Sequence, residues 1–530
     1  MQKFLFFFLA FFTLILGFHY FLAYSNLLGN DFVYPLDDAY IHLTMARNLA
    51  EHGYWGINTN SFDSASSSIL YTLILSVFIK IFGDNVYYPL LINILAGYAT
   101  VYYCYKFFSE FYGKREIVLG LTLLIPFCQL YMMVISGMEQ TLHILLTVLM
   151  VYYIKKNLIS DFAKSDFSKL LLVALLFGAV RFESMFFIFI LTILLCLIRK
   201  WKVGISLFIA GFFSITVFGI ISVKCGGYFF PNSLLMKGNY PESDVLDSFW
   251  NIFKKGILMN ISFYKLFLAP LLLIAIYFNE KYRNQRWRSI LQNELIVVLI
   301  IGTLVLHSLF AVIRYRYENY LMAAIVLVIV PIVVDFYKNR KSKQSIIHKI
   351  LLLGSFSAVL FYCIYISIFN YKVVKYASKN IQEQQLEMAR FLENYYHGQK
   401  VVANDIGAIS YFSGIHIFDI AGLASTNVAG FYYENKHLDS KKFDEVFHQF
   451  LANYITRNQY KVAIIYPKWF PNGVPVSWVP VVSWTIQKKS GVASQTVVWY
   501  AFNKNDANIL RENLKKFNLN KNVTQYYYSY

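Results

Sequence analysis

The chain has 530 residues, 57% of them hydrophobic, 19% aromatic and only 15% charged, with a mean hydropathy of +0.48, a composition that excludes an ordinary water-soluble globular protein. The formal net charge of +18 has no soluble basic domain behind it, which argues against nucleic acid as a partner and for basic loops beside anionic lipid headgroups. The five cysteines, Cys104, Cys128, Cys196, Cys225 and Cys363, show no CxxC or Cys/His spacing, so zinc and redox roles lack support and the polar C-terminal region has no disulfide to rely on.

The first apolar run, MQKFLFFFLAFFTLILGFHYFLAY, is longer than the core of a signal peptide and lacks a good small-residue cleavage site, so it reads as a retained span. Apolar segments at about 4–24, 86–105, 116–135, 139–154, 168–180, 184–198, 203–223, 261–278, 293–313, 319–335 and 349–370 predict eleven transmembrane helices. With the N-terminus inside, every strong basic cluster falls on one side, as the positive-inside rule requires. Those clusters are Lys114 and Arg115; Lys155, Lys156, Lys164 and Lys169; Arg199, Lys200 and Lys202; Lys281, Arg283, Arg286 and Arg288; and Lys338, Arg340, Lys341 and Lys343. SILYTLILSVFIKIF, residues 68–82, is short and contains Lys80. Counted as a span it would move Lys114 and Arg115 outside, so it is predicted to lie in the interface as an amphipathic helix. Both halves of 168–198 are shorter than the roughly 20 residues a span needs, yet reading them as one span would invert the charges downstream.

The character changes from about 371. NIQEQQLEMARFLENYY is polar and helical, and the runs KVAIIYP, VPVVSWTI and QTVVWYAF are β-like. Residues 1–370 are therefore predicted as a transmembrane domain and 371–530 as a small α/β domain on the outer face, with NDANILRENLKKFNLNKNVTQYYYSY as a polar, peripheral end.

The predicted topology gathers one set of polar residues on that outer face: Asp37 and Asp38 in YPLDDAYIHLTMARNLAEHG, with His42 and Arg47 on the same helix; Glu139 in SGMEQ; Arg181 and Glu183 in VRFES; Lys237 in PNSLLMKGN; and Arg314, Arg316 and Glu318 in RYRYENY. Charges beside a bilayer are costly unless paired or functional. Acids and bases together suit a lipid-linked phosphate, held by Arg or Lys, and a hydroxyl that needs an Asp base. Asp38 and His42 are four residues apart, hence on one helix face, and are candidate ligands for a divalent cation, Mg, Mn or Ca; no organic cofactor is expected. Plainer roles exist. One aspartate can be an N-cap after Pro35, His42 an interfacial histidine, Glu139 a helix start, Arg181 and Glu183 a hairpin ion pair, and Arg314 or Arg316 an interfacial anchor.

The acidic pair in the first outer loop, followed by amphipathic helices, resembles the GT-C superfamily of membrane glycosyltransferases. The ordered strings DDAYIHLTMARNLAEHG, SASSSILYTL, SGMEQ, RFES, PNSLLMKG and DIGAISYFSG…DIAGL look like its bacterial branch of the arabinofuranosyltransferase B type. The resemblance implies a polytopic α-helical enzyme of the inner (plasma) membrane, with site and C-terminal domain facing the periplasm or exterior. It implies inverting transfer from a polyprenyl-phosphate sugar to a glycan, lipid or surface-protein acceptor. Asp37 would be the general base and Asp38 a supporting acid or metal ligand. The other candidates would bind substrate and the C-terminal domain would bind acceptor; Arg314, Arg316 or Lys237 on the phosphate rests on topology and chemistry more than on the resemblance. The competing readings are a lipid-linked glycan polymerase or ligase, and a polyprenyl-lipid transporter or flippase.

Overall fold

The computed structural model describes residues 2–27, 29, 32–237, 245–283, 285–314, 316–338, 346–470 and 472–530. Arg340, Lys341 and Lys343 fall outside these, as does the side chain of Lys237.

Each predicted span lies on a helix. Gln2–Tyr24, Gln140–Ile159, Trp201–Lys224, Ile261–Tyr282, Asn319–Lys338 and the stretch beginning at Lys349 are long and apolar enough to cross a membrane. The pair Trp287–Asn293 and Leu295–Phe310 adds a seventh if it is taken as one span, although it is bent by 97°. Length and composition thus support six or seven crossings, against the eleven predicted. The remaining predicted spans fall on Tyr88–Phe111, Lys164–Val180, Ser184–Leu197 and a broken helix, Lys114–Phe127 with Leu130–Ile135. That break corrects the single span expected at 116–135. Pro126 lacks the N–H that continues a helical ladder, and Gln129 turns the chain at φ 51°.

The segment expected in the interface is the helix Ile69–Phe82, capped by the Ser68 hydroxyl, which accepts from the Tyr71 N–H at 3.1 Å. It packs on the helix Asp38–His52 through Ile79, Leu75 and Tyr71, with Leu73, Val77 and Ile81 exposed. At one end of the bundle Lys155, Lys281 and Lys338 meet Glu116 and Glu294 around a cavity. Lys338 pairs with Glu116 at 2.8 Å and Lys281 with Glu294 at 2.9 Å. The acidic loops lie at the opposite helix ends.

The last bundle helix, Ile346–Ile381, has 36 residues. At 1.5 Å per residue that is about 54 Å, against roughly 30 Å of hydrocarbon. This helix runs without a break through the boundary expected at 370 and continues as a strut toward the sheet. There Asn380 accepts the Ser490 N–H at 2.6 Å, and Gln384 donates to the Gln495 carbonyl at 3.1 Å.

The C-terminal domain is a three-layer α/β/α sandwich. Its six strands are β1 (Lys400–Ala403), β2 (His416–Asp419), β3 (Val462–Ile465), β4 (Val479–Ile486), β5 (Thr496–Ala501) and β6 (Val523–Tyr527), in the order β2-β1-β3-β5-β4-β6. β1 runs parallel to β2 and β3, and the remaining pairs are antiparallel. Alternation sends Val401, Ile464, Trp484 and Trp499 to the face covered by Phe391, Leu510 and Leu514. Val402, Ala463 and Val498 go to the face covered by Phe447, Leu451 and Ile455 of the helix Ser440–Asn458. The chain end is not peripheral: the helix Lys504–Lys516 covers the sheet and β6 pairs with β4.

Helices Lys164–Val180 and Trp201–Lys224 approach so closely that a Cβ on Gly178 would lie 1.7 Å from the Gly211 carbonyl oxygen. Gly178→Ala is expected to cost about 1–3 kcal/mol and lower the thermal midpoint in detergent. Gly354→Ala, with open space around its Cβ, is the control and should leave the midpoint unchanged or higher.

Candidate active site

The helix Asp38–His52, the loop 53–68 and the ends of five bundle helices enclose a cavity of about 70 Å³. Asp38, His42 and Ser67 line it from the first loop, Arg181 and Glu183 from the turn between Val180 and Ser184, and Arg316 and Tyr317 from the turn before Asn319. Leu423 closes it from the C-terminal domain.

The floor is a buried ion cluster. The Arg181 Nε donates to Glu183 Oε2 at 3.0 Å and Nη2 to Oε1 at 2.7 Å, while Nη1 reaches Glu139 Oε1. Ser67 donates to the same Glu139 oxygen at 2.7 Å, and His42 Nε2 lies 3.1 Å from Glu139 Oε2. The other His42 nitrogen sits 3.3 Å from the Ser66 hydroxyl and 3.4 Å from that of Thr72. Burial pushes the Glu183 carboxyl up, but the Arg181 charge overrides it and holds Glu183 below the usual carboxylate range. Beneath the cluster His143 accepts from or donates to the Ser184 hydroxyl at 3.0 Å and stacks on Tyr320 at 4.2 Å.

The wall carries a second ion pair. Arg316 Nη2 is bound to Asp38 Oδ2, and Arg316 Nη1 is buried with no hydrogen-bond partner among the described residues. Tyr317 lies between the two arginines, 4.9 Å from the Arg181 guanidinium and 5.5 Å from that of Arg316, offering its ring face to both. Behind this wall Glu318 is pushed up to about 7 by burial, against the backbone N–H groups that favour its anion.

The two neighbouring aspartates part company. Asp37 stands at the N-cap of Asp38–His52 without capping it. Its Oδ2 instead accepts the Gly407 N–H at 2.6 Å and its Oδ1 the Ala408 N–H at 2.8 Å, both in the C-terminal domain. Asp37 is thereby turned away from the cavity, and Asp38 is the aspartate that faces it. Arg47 lies outside as well, 3.4 Å from Asp84 and stacked 4.7 Å over Tyr411. Arg314 is exposed and does not line the cavity; its backbone N–H donates to Glu318 Oε2 at 3.1 Å.

A divalent cation does not fit this donor set. Asp38 is committed to Arg316 and His42 to Glu139, and among the described residues no group of three or more His, Cys, Asp or Glu converges as a metal site. Sequence reasoning missed Ser67, Tyr317, Leu423 and Asp405, the last in contact with Asp37. All four nevertheless stood in strings already singled out, Ser67 in SASSSILYTL, Tyr317 in RYRYENY, and Asp405 and Leu423 in DIGAISYFSG…DIAGL, without a role assigned to any of them.

The bundle, the first-loop helices and the C-terminal domain together resemble solved GT-C structures in fold. Two crystal structures of ArnT from Cupriavidus metallidurans match over 94% of this chain and 98% of theirs. The one bound to undecaprenyl phosphate has a TM-score of 0.52 at 11% identity, and the apo form 0.51 at 10%. The archaeal oligosaccharyltransferase AglB from Archaeoglobus fulgidus, in complex with an inhibitory peptide and a dolichol-phosphate, covers 94% of this chain and 74% of its own at TM-score 0.46 and 11% identity. Residues 379–502 match a family described as a domain of unknown function (DUF8728). No curated protein sequence matches the chain.

Arg181→Met would leave two buried carboxylates without their cation. It is expected to destabilise the protein by about 3–5 kcal/mol, seen as a lower thermal midpoint in detergent. Arg47→Met, at a half-exposed pair outside the cavity, should shift the midpoint far less.

Proposed function

We propose that the protein is a glycosyltransferase that moves a sugar from a polyprenyl-phosphate donor to an acceptor hydroxyl at the outer face of the inner (plasma) membrane. The observation that carries this reading is the Asp38–Arg316 pair on the cavity wall, an acid beside a guanidinium with one nitrogen unspent. The GT-C fold supports it, as does the undecaprenyl phosphate bound by a neighbour of that fold.

In the proposed reaction Asp38, rather than Asp37, is the general base. The acceptor oxygen attacks the anomeric carbon, the bond from that carbon to the phosphate oxygen breaks, and polyprenyl phosphate leaves with the electron pair. The acceptor proton passes to the Asp38 carboxylate. A single displacement inverts the anomeric centre. Arg316 Nη1 stabilises the leaving phosphate, and the Arg181 cluster keeps the wall rigid. His42 and Glu183 line the donor side, and Lys237 remains a candidate for the phosphate. The acceptor is a surface glycan, a glycolipid or a protein, and Leu423 supports a part for the C-terminal domain in receiving it. Arabinofuranose as the sugar rests on the sequence resemblance alone; another pentose or a hexose fits the same chemistry.

The test uses membranes from cells expressing wild-type or Asp38→Asn protein, supplied with a panel of radiolabelled polyprenyl-phosphate sugars. Transfer of one sugar is expected, reduced by about 10²–10⁴-fold in the variant. Normal turnover by Asp38→Asn removes the base assignment. Failure of folded wild type to use any donor favours the polymerase or flippase reading. Cysteines introduced at 114 and 436, both exposed, should label from opposite sides of the membrane once Cys196 and Cys225 are replaced. Labelling of both from one side would overturn the placement of the site on the outer face.

A further inference from the structure

Asp405 follows β1, in the sequence VVANDIGAISYF, and its carboxyl is in hydrogen-bonding contact with that of Asp37. An ionised carboxylate can only accept, so two ionised carboxylates cannot bond to each other: one must bring a proton. The surroundings decide which. Asp37 already accepts the Gly407 and Ala408 N–H groups, the pattern of an anion. Gln385 donates from Nε2 to the Tyr466 hydroxyl at 2.8 Å and to Asp405 Oδ2 at 2.9 Å. Tyr466 in turn donates to Gln384 Oε1 at 2.9 Å, so the direction of the whole network is set. Gln385 therefore offers Asp405 a donor and no acceptor, which leaves the Asp37 carboxylate as the acceptor for a proton on Asp405.

We propose that Asp405 is a neutral carboxylic acid that donates to the Asp37 anion, and that this bond locks the C-terminal domain onto the helix start that presents Asp38. Asp405 is then a positioning residue, acting through Asp37. The other titratable groups facing the pair are Asp38, held to Arg316, and the Tyr40 and Tyr466 phenols. Among the described residues neither acid is in a salt bridge with a basic group. Burial, and next the Asp37 charge, push Asp405 up, while burial lifts Asp37 to about 6 against its two N–H donors. Gly407 is the residue the approach requires, since a Cβ there would lie 2.0 Å from the Asp37 carbonyl oxygen.

The bond has a direction, and so does its test. Asparagine at 405 still donates from Nδ2 and accepts at Oδ1. Asparagine at 37 has one oxygen for the three donors that aspartate satisfies. The full-length protein in detergent is digested with trypsin, and release of the C-terminal fragment is timed near pH 7. Asp405→Asn should match wild type, whereas Asp405→Ala and Asp37→Asn should release the fragment about tenfold faster or more. Protection in the wild type should fall as pH rises and Asp405 loses its proton, with Asp405→Asn holding a flat profile. Asp405→Asn is isosteric and folds on either account, so its result decides: rapid release, or a pH profile like that of wild type, overturns the proposal. Unchanged protection in Asp405→Ala overturns it too. The readout involves no sugar transfer, so it stands or falls apart from the transferase reading.

Discussion

Arg181 holds a full positive charge where water does not reach, and the bundle end is organised around keeping that charge neutralised. Its guanidinium engages Glu183 through two nitrogens and Glu139 through the third. Three separate stretches of chain, the start of Gln140–Ile159, the turn into Ser184–Leu197 and, through His42, the helix Asp38–His52, are thereby fixed to one point. Removing water from such ions costs several kcal/mol each, and complementary geometry is what offsets it. A cluster of this kind adds little to net stability. What it confers is a single arrangement, because any shift of one helix end strands a charge.

On that floor the second ion pair has freedom the first lacks. Arg181 is satisfied on every side, whereas Arg316 spends one nitrogen on Asp38 and keeps another. The tyrosine ring between the arginines holds two cations near each other in a low-dielectric wall. An anionic oxygen that reached the second nitrogen would displace no hydrogen bond already made among the described residues. One arginine is thus structural and the other available, a difference set by the number of acids within reach of each.

Much of the architecture could be read from hydropathy, because helix positions in a bilayer follow from runs of apolar residues. The broken helix at Pro126 and Gln129 escaped, since both lie inside an apolar run whose average hides them. β1, β2 and β6 escaped for another reason. KVVA, HIFD and VTQYY are short and ordinary, and only pairing with other strands makes them part of a sheet. The site was legible as a set of residues but not as a geometry. Consecutive residues at a helix start differ by about 100° in direction, so which of Asp37 and Asp38 faces the cavity depends on what packs against the other. That partner is Gly407 and Ala408, about 370 residues further on. No local pattern joins them. Arg47 and Arg314 were grouped with the site by topology, which places residues at a membrane face but does not aim their side chains.

The route by which Leu423 reaches the cavity has a consequence for biosynthesis. The turn that carries it is wound around Asp419, whose carboxylate accepts the N–H groups of Ala421, Leu423 and Ala424. Asn58 of the first loop is bonded both ways to Ile417 beside it. A ribosome delivers these residues only after the last bundle helix has emerged. The bundle is inserted with its pocket still lacking one wall, and the first loop waits for a partner made later. Nascent or prematurely terminated chains therefore sit in the membrane unable to close the cavity, and the final domain serves as the step that completes it.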